Sequence, residues 1–199
     1  MSRVYTLIVT DTSPLITLAV ADELGVLLRA GLQIEIPDAV YSEATRVPTA
    51  PGANRIKDWI NANSEQVRIV PTEIGIDQRK RLEDGRTVKD MGEQAALETL
   101  DIFLAKNADG EALLLFEVSD IRRRRAVVDE RVSLISTGDF LRELQTAHLI
   151  QSADHILDEA ARTGRNVEKQ RLAAQDPEAR EALRQQLRER RGGDPGAKP

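Results

Sequence analysis

The sequence contains no cysteine, which excludes disulfides, thiolate metal sites and a cysteine nucleophile. Only two histidines are present, His148 and His155, so a multi-histidine zinc site is excluded as well. Structural or exposed roles suit both better than catalysis. Any bound metal must then be held by carboxylates, which favours a hard cation such as Mg²⁺ or Mn²⁺. Aromatic residues make up only 3% of the chain. The core must be aliphatic, with Trp59 and the phenylalanines inside it, and no aromatic platform for stacking bases is visible. No apolar run approaches the roughly 20 residues of a membrane span. The run inside MSRVYTLIVTD is too short for a signal peptide, so a cytoplasmic protein is expected. There is no P-loop and no Ser–His pair.

What is present suits one domain and a tail: 199 residues, 41% hydrophobic, with a net charge of −5. The acidity is uneven. Arg122 to Arg125 form an unbroken basic run, and residues 154–199 hold ten Lys/Arg against nine Asp/Glu. An acidic chain of this kind still suits a nucleic acid substrate if bound metal supplies positive charge.

Val4–Thr10 reads as a buried strand ending at Asp11. Thr12-Ser13-Pro14 then reads as a helix start, a hydroxyl cap with proline at the first helical position. The helix breaks near Ala21-Asp22 and Gly31 stops the segment. Leu32–Ile36 predicts a second strand and Pro37-Asp38 a second helix, which carries Glu43. A helix over Asn54–Asn61, a strand at Val67–Val70 and a helix over Asp77–Glu83 follow. Asp90-Met91-Gly92-Glu93 leads into a long apolar-periodic helix. Ala112–Phe116 is a continuous apolar run, as in a central parallel strand. Ser119-Asp120 caps a helix through the arginines. Val132–Ile135 is the last strand, and a helix follows from Thr137 to Leu149. Strands alternating with helices predict a parallel α/β sheet of about five strands, helices covering both faces. Residues 1–150 form the expected domain, 151–191 a charged helical extension with a narrow apolar stripe at Leu172, Leu183 and Leu187, and 192–199 a disordered tail.

Four acids share one kind of position. Asp11 ends the first strand, Asp120 follows the ALLLF strand, and Glu93 opens the long helix. Glu43 lies about a turn and a half into the helix after the second strand. Ligands of open parallel sheets bind beyond the carboxyl ends of the strands. The separations of 32, 50 and 27 residues mean that only folding brings the four together. Crowded carboxylates repel, and a divalent cation relieves the repulsion while activating a water and polarising a phosphate.

VTDTSPLITLA, IPDAVYSEA, MGEQAALETL, LLLFEVSDIRRRRAV and LISTGDFL, taken in that order, resemble the PIN-domain family, and more narrowly the toxin nucleases of VapC-type toxin–antitoxin operons. The resemblance covers roughly residues 3–150. It implies a PIN-like three-layer α/β fold and an endoribonuclease that uses Mg²⁺ or Mn²⁺. Asp11, Glu43, Glu93 and Asp120 are then the catalytic set, with Asp11, Glu93 and Asp120 on the metal. Thr12 or Ser13 orients a water or ligand. A homodimer and a protein antitoxin are implied too. The branch often carries two adjacent aspartates after the fourth strand, where this chain has Ser119-Asp120. Glu117 and Asp139 are therefore rivals for the fourth corner, although chain order favours Asp120. One or two of Arg122 to Arg125 suit phosphate and the rest a solvated face or an acidic partner, because consecutive helical residues point in different directions. The alternative is a degenerate PIN fold that binds RNA or protein without cutting. Aspartyl-phosphate transfer through Asp11 lacks a lysine at the sheet edge.

Overall fold

The computed structural model describes residues 4–88, 91–117, 128–171 and 176–192. Five strands form one sheet: β1 (Tyr5–Thr10), β2 (Gln33–Pro37), β3 (Val67–Val70), β4 (Glu111–Phe116) and β5 (Val132–Ser136). They lie in the order β3-β2-β1-β4-β5, and every pairing is parallel. The chain runs outward from β1 through β2 to β3, then returns to place β4 on the other side of β1. The switch point of the topology therefore lies between β1 and β4. In open parallel sheets this is where a crevice opens at the carboxyl ends of the strands.

The continuous apolar strands are explained by burial on both faces. Leu7, Val9, Ala112, Leu114, Phe116, Val132 and Leu134 meet Ala96, Leu100 and Leu104 of the long helix. Alternate residues Ile8, Ile34, Ile36, Leu113, Leu115 and Ile135 face the larger cluster on the other side. The helices, in chain order, are α1 (Thr12–Val20), α2 (Asp38–Thr45), α3 (Ala53–Ala62), α4 (Glu73–Glu83), α5 (Met91–Lys106), α6 (Thr137–Thr146), α7 (Ala153–Arg162), the short α8 (Glu168–Arg171) and α9 (Pro177–Gly192). A 3₁₀ segment, Leu24–Ala30, follows α1. Among the described residues no helix is long and apolar enough to cross a membrane.

Three local boundaries differ from the sequence reading. Asp11, rather than a hydroxyl, caps α1 through its own side chain. Pro14 is the third helical residue, still inside the first turn, where no N–H is needed. The α4 helix begins at Glu73 rather than Asp77. Thr72 caps it through a 2.9 Å bond from Gly75 N–H, and Glu98 accepts the Glu73 and Ile74 N–H groups at 2.7 and 3.1 Å. The α6 helix stops at Thr146 because the chain turns back at His148, which adopts a left-handed φ of 56°.

Described residues beyond 150 pack against these same layers; Leu172 of the expected stripe lies outside the described residues. Leu157, Ala160, Val167, Leu183 and Leu187 belong to the same apolar cluster as α1 and the sheet. Polar contacts add to the apolar stripe. The β1–β4 register shifts between Tyr5 and Leu7. At that irregularity Gln186 of α9 accepts from Tyr5 N–H at 2.8 Å and donates to Tyr5 C=O at 2.7 Å. Glu143 of α6 is fully buried and accepts from Arg180 at 2.5 Å and Arg184 at 2.7 Å. Arg190 donates to Ala30 C=O at 3.2 Å and also to Gly31 C=O.

Glu143→Ala removes the acceptor of two guanidiniums. Breaking such a pair costs about 3–5 kcal/mol. The lower end, about 3 kcal/mol, is expected because both arginine side chains are about a quarter exposed and can turn to water. Chemical denaturation measures it. Gln186→Ala is expected to lose about 1–2 kcal/mol, from two buried backbone bonds.

Candidate active site

Asp11 is fixed where β1 meets the crevice. Its N–H donates to Leu115 C=O at 3.0 Å, extending the β1–β4 ladder one residue past the strand. Its Oδ1 accepts from Thr12 N–H at 2.7 Å. The Thr12 hydroxyl donates to Glu43 Oε2 at 2.8 Å, so a single residue bridges the first acid to the second. Glu43 Oε1 accepts from Gly92 N–H at 3.0 Å and from Gln78 Nε2 at 3.4 Å. The Gly92 N–H belongs to the first turn of α5, where amides have no partner within the helix and the helix dipole favours an anion. A Cβ on Gly92 would lie 2.6 Å from Glu43 Oε2 and 2.9 Å from Thr12 Oγ1. A side chain at this position would have to displace the Glu43 carboxylate and the Thr12 hydroxyl. Glu93, the next residue, is half-buried, as are Asp11, Thr12 and Glu43.

Gln78 was not visible as a site residue in the sequence. It sits on α4, is 1% exposed and also donates to Ala39 C=O at 3.2 Å. Its Oε1 is buried with no hydrogen-bond partner among the described residues. No motif marks it. Its role follows from the docking of α4 beside α2.

The two rivals for the fourth corner are both engaged within the protein. Glu117 follows β4 directly. It accepts from the Thr17 hydroxyl and, through Oε2, from Arg165 Nη2 at 3.1 Å. Burial pushes its carboxyl above the usual carboxylate range, opposed by Thr17 and Arg165 and reinforced by the charge of Asp11. Asp139 is buried at the start of α6. It accepts from the Ser136 hydroxyl at 2.9 Å and pairs with Arg142 at 3.3 Å and Arg180 at 3.8 Å. Asp120 and Arg122 to Arg125 lie outside the described residues. His148 and His155 sit on the turn after α6 and in the first turn of α7, consistent with the structural or exposed roles expected.

A family model of the PIN domain matches residues 7–181. The chain belongs to the PIN-domain family. Membership makes this a nuclease-type domain for nucleic acid, and PIN domains generally use divalent metal ions. No curated protein and no solved structure matched the chain.

The PIN site is tested for metal by its donors. Asp11, Glu43, Glu93 and the Thr12 hydroxyl offer hard oxygen donors, the kind Mg²⁺ and Mn²⁺ take. Glu43 has each oxygen anchored by a donor, yet every carboxylate oxygen can accept more than one bond. Among the described residues no three acidic or histidine side chains are close enough to hold an ion by themselves. The donor chemistry of these side chains suits a hard cation.

Gly92→Ala is expected to force Glu43 and Thr12 apart and to lower the thermal midpoint. An unchanged midpoint would mean that α5 does not depend on the close approach. For Glu117 the native pKa is raised from 4.5, so the folded state binds more protons than the unfolded state above that value. Stability from this group is fully present below about 4.5 and is lost as pH rises through the raised native pKa. The unfolding free energy of the native protein relative to Glu117→Gln should therefore increase as pH falls from 7 towards 4.5.

Proposed function

We propose that the protein is a metal-dependent endoribonuclease that hydrolyses RNA phosphodiesters with a Mg²⁺- or Mn²⁺-activated water. One observation carries this reading. In a PIN-family chain, Asp11 and Glu43 are bridged by Thr12 and joined to the Gly92-Glu93 helix start, at the carboxyl edge of the sheet beside the switch point. Asp11, Glu93 and Asp120 would hold the ion, with Glu43 completing the catalytic set. When bound, the ion supplies a Lewis acid for the phosphate and lowers the pKa of a water.

The protein's own residues do the positioning. Glu43 is oriented by donors from Thr12, Gly92 and Gln78, so its carboxylate is held without reorganisation during the reaction. The Thr12 hydroxyl spends its proton on Glu43. It therefore offers only acceptor lone pairs to any water beside Asp11. Asp11 keeps its place because both its N–H and its Oδ1 are bonded to the backbone framework. The α5 N-terminus contributes partial positive charge to the same edge.

The narrower reading is a toxin-like nuclease that forms a homodimer, is blocked by a protein antitoxin and works in the cytoplasm. It rests on the resemblance in the sequence. Light scattering of the purified chain tests the dimer, and an upstream reading frame for a short DNA-binding protein would support the antitoxin. A second reading, a PIN fold that binds RNA or protein without cutting, is favoured by one observation. Glu43, Glu117 and Asp139 are already satisfied by internal donors.

The deciding experiment is cleavage of a mixed RNA pool with Mg²⁺ or Mn²⁺. Native protein is expected to cut, and Asp11→Asn is expected to abolish both Mn²⁺ binding and cleavage. RNA binding without cleavage, unchanged in Asp11→Asn, would establish the second reading instead.

A further inference from the structure

Arg165 lies in the loop between α7 and α8, far along the chain from the site. Its guanidinium nevertheless reaches the crevice edge. Nε donates to the Thr17 hydroxyl at 3.1 Å. Nη2 donates to Ser13 C=O at 3.2 Å and to Glu117 Oε2 at 3.1 Å. Thr17 in turn donates to the other oxygen of Glu117. Ser13 is two residues past Asp11 on α1. Glu117 is the first residue past β4 and three residues before Asp120. The arginine side chain is 27% exposed and that of Glu117 15%, so the pair is largely shielded from water.

We propose that Arg165 and Glu117 are a positioning pair for the nuclease site, and that Glu117 is not a metal ligand. The pair ties the first turns of α1, which follow Asp11, to the exit of β4 on the other side of the switch point. A guanidinium suits this task better than an ammonium, because its planar fork serves three acceptors at once. The carboxylate is needed because a guanidinium packed between two helix acceptors would otherwise place an unbalanced charge beside the crevice. The proposal rests on the endoribonuclease reading, and it makes residues beyond 150 part of the working site.

The test uses the full chain with Arg165→Ala, Arg165→Lys, Glu117→Gln and the double variant Arg165→Ala/Glu117→Gln. Thermal unfolding first confirms that each folds. Arg165→Lys, which keeps the charge but not the fork, serves where Arg165→Ala does not fold. A positioning pair predicts that kcat for RNA falls about tenfold to a hundredfold in either single variant. KM should stay nearly constant, and the double variant should be no worse than the singles. Mn²⁺ affinity should weaken by similar factors in both singles.

If Glu117 were a ligand, Glu117→Gln would abolish Mn²⁺ binding while Arg165→Ala would leave it intact or tighten it. That outcome overturns the proposal. If Arg165 instead contacted RNA, Arg165→Ala would raise KM and flatten its salt dependence while Glu117→Gln would not. That overturns it too. Should the native protein cut no RNA, hydrogen exchange still reads the pair. Amides of α1 and β4 should exchange faster in both single variants by the same factor, and unchanged exchange would sink the proposal independently of the nuclease reading.

Discussion

Three donors converge on the carboxylate of Glu43: the Thr12 hydroxyl, the Gly92 N–H and the Gln78 amide. They come from α1, α5 and α4, so with α2 four helices meet at one side chain. The junction is tight at a glycine, since a methyl group at residue 92 would meet both Glu43 and Thr12 unless they shifted. Removing a charged group from water is costly unless donors replace the lost hydration. The closeness of α2 and α5 is the geometric result. Asp11 and Glu93 are the chain neighbours of Thr12 and Gly92, the two residues joined through Glu43.

The same requirement recurs at four other acids drawn inward. Glu117 is met by Thr17 and Arg165, and Asp139 by Ser136, Arg142 and Arg180. Glu143 is met by Arg180 and Arg184. Asp38 is met by Thr72 and Arg79, both at 2.7 Å. Three arginines from beyond residue 160, Arg165, Arg180 and Arg184, are thus paired with acids of the α/β layers. Glu43 is met by a different kind of partner: a hydroxyl, a side-chain amide and a backbone N–H.

Burial of the last helix shows how few apolar residues suffice when polar contacts are well matched. Leu183 and Leu187 enter the core, while Gln186 makes two hydrogen bonds to the backbone of Tyr5. An amide offering one donor and one acceptor can stand in for a neighbouring strand's peptide group at an irregular register. No apolar count detects that.

The sequence by itself determined the strands, the alternation of apolar strand runs with helical patterning, and the positions of Asp11 at a strand end, Glu93 at a helix start and Glu43 within the second helix. These follow from local rules: apolar runs buried on both faces, glycine stops, and acids placed next to strand ends or helix starts. The core had to be aliphatic and any metal site had to be built from oxygen, because the chain lacks the alternatives. Tertiary structure alone decided who answers each acid. Gln78, Arg165, Thr17 and Gln186 occupy unremarkable positions in ordinary helices and one loop, and their partners are 35 to 181 residues away. Hydrogen bonds across such separations leave no periodic trace. They arise only when the strand order brings β4 back beside β1 and the last helix closes over the layer.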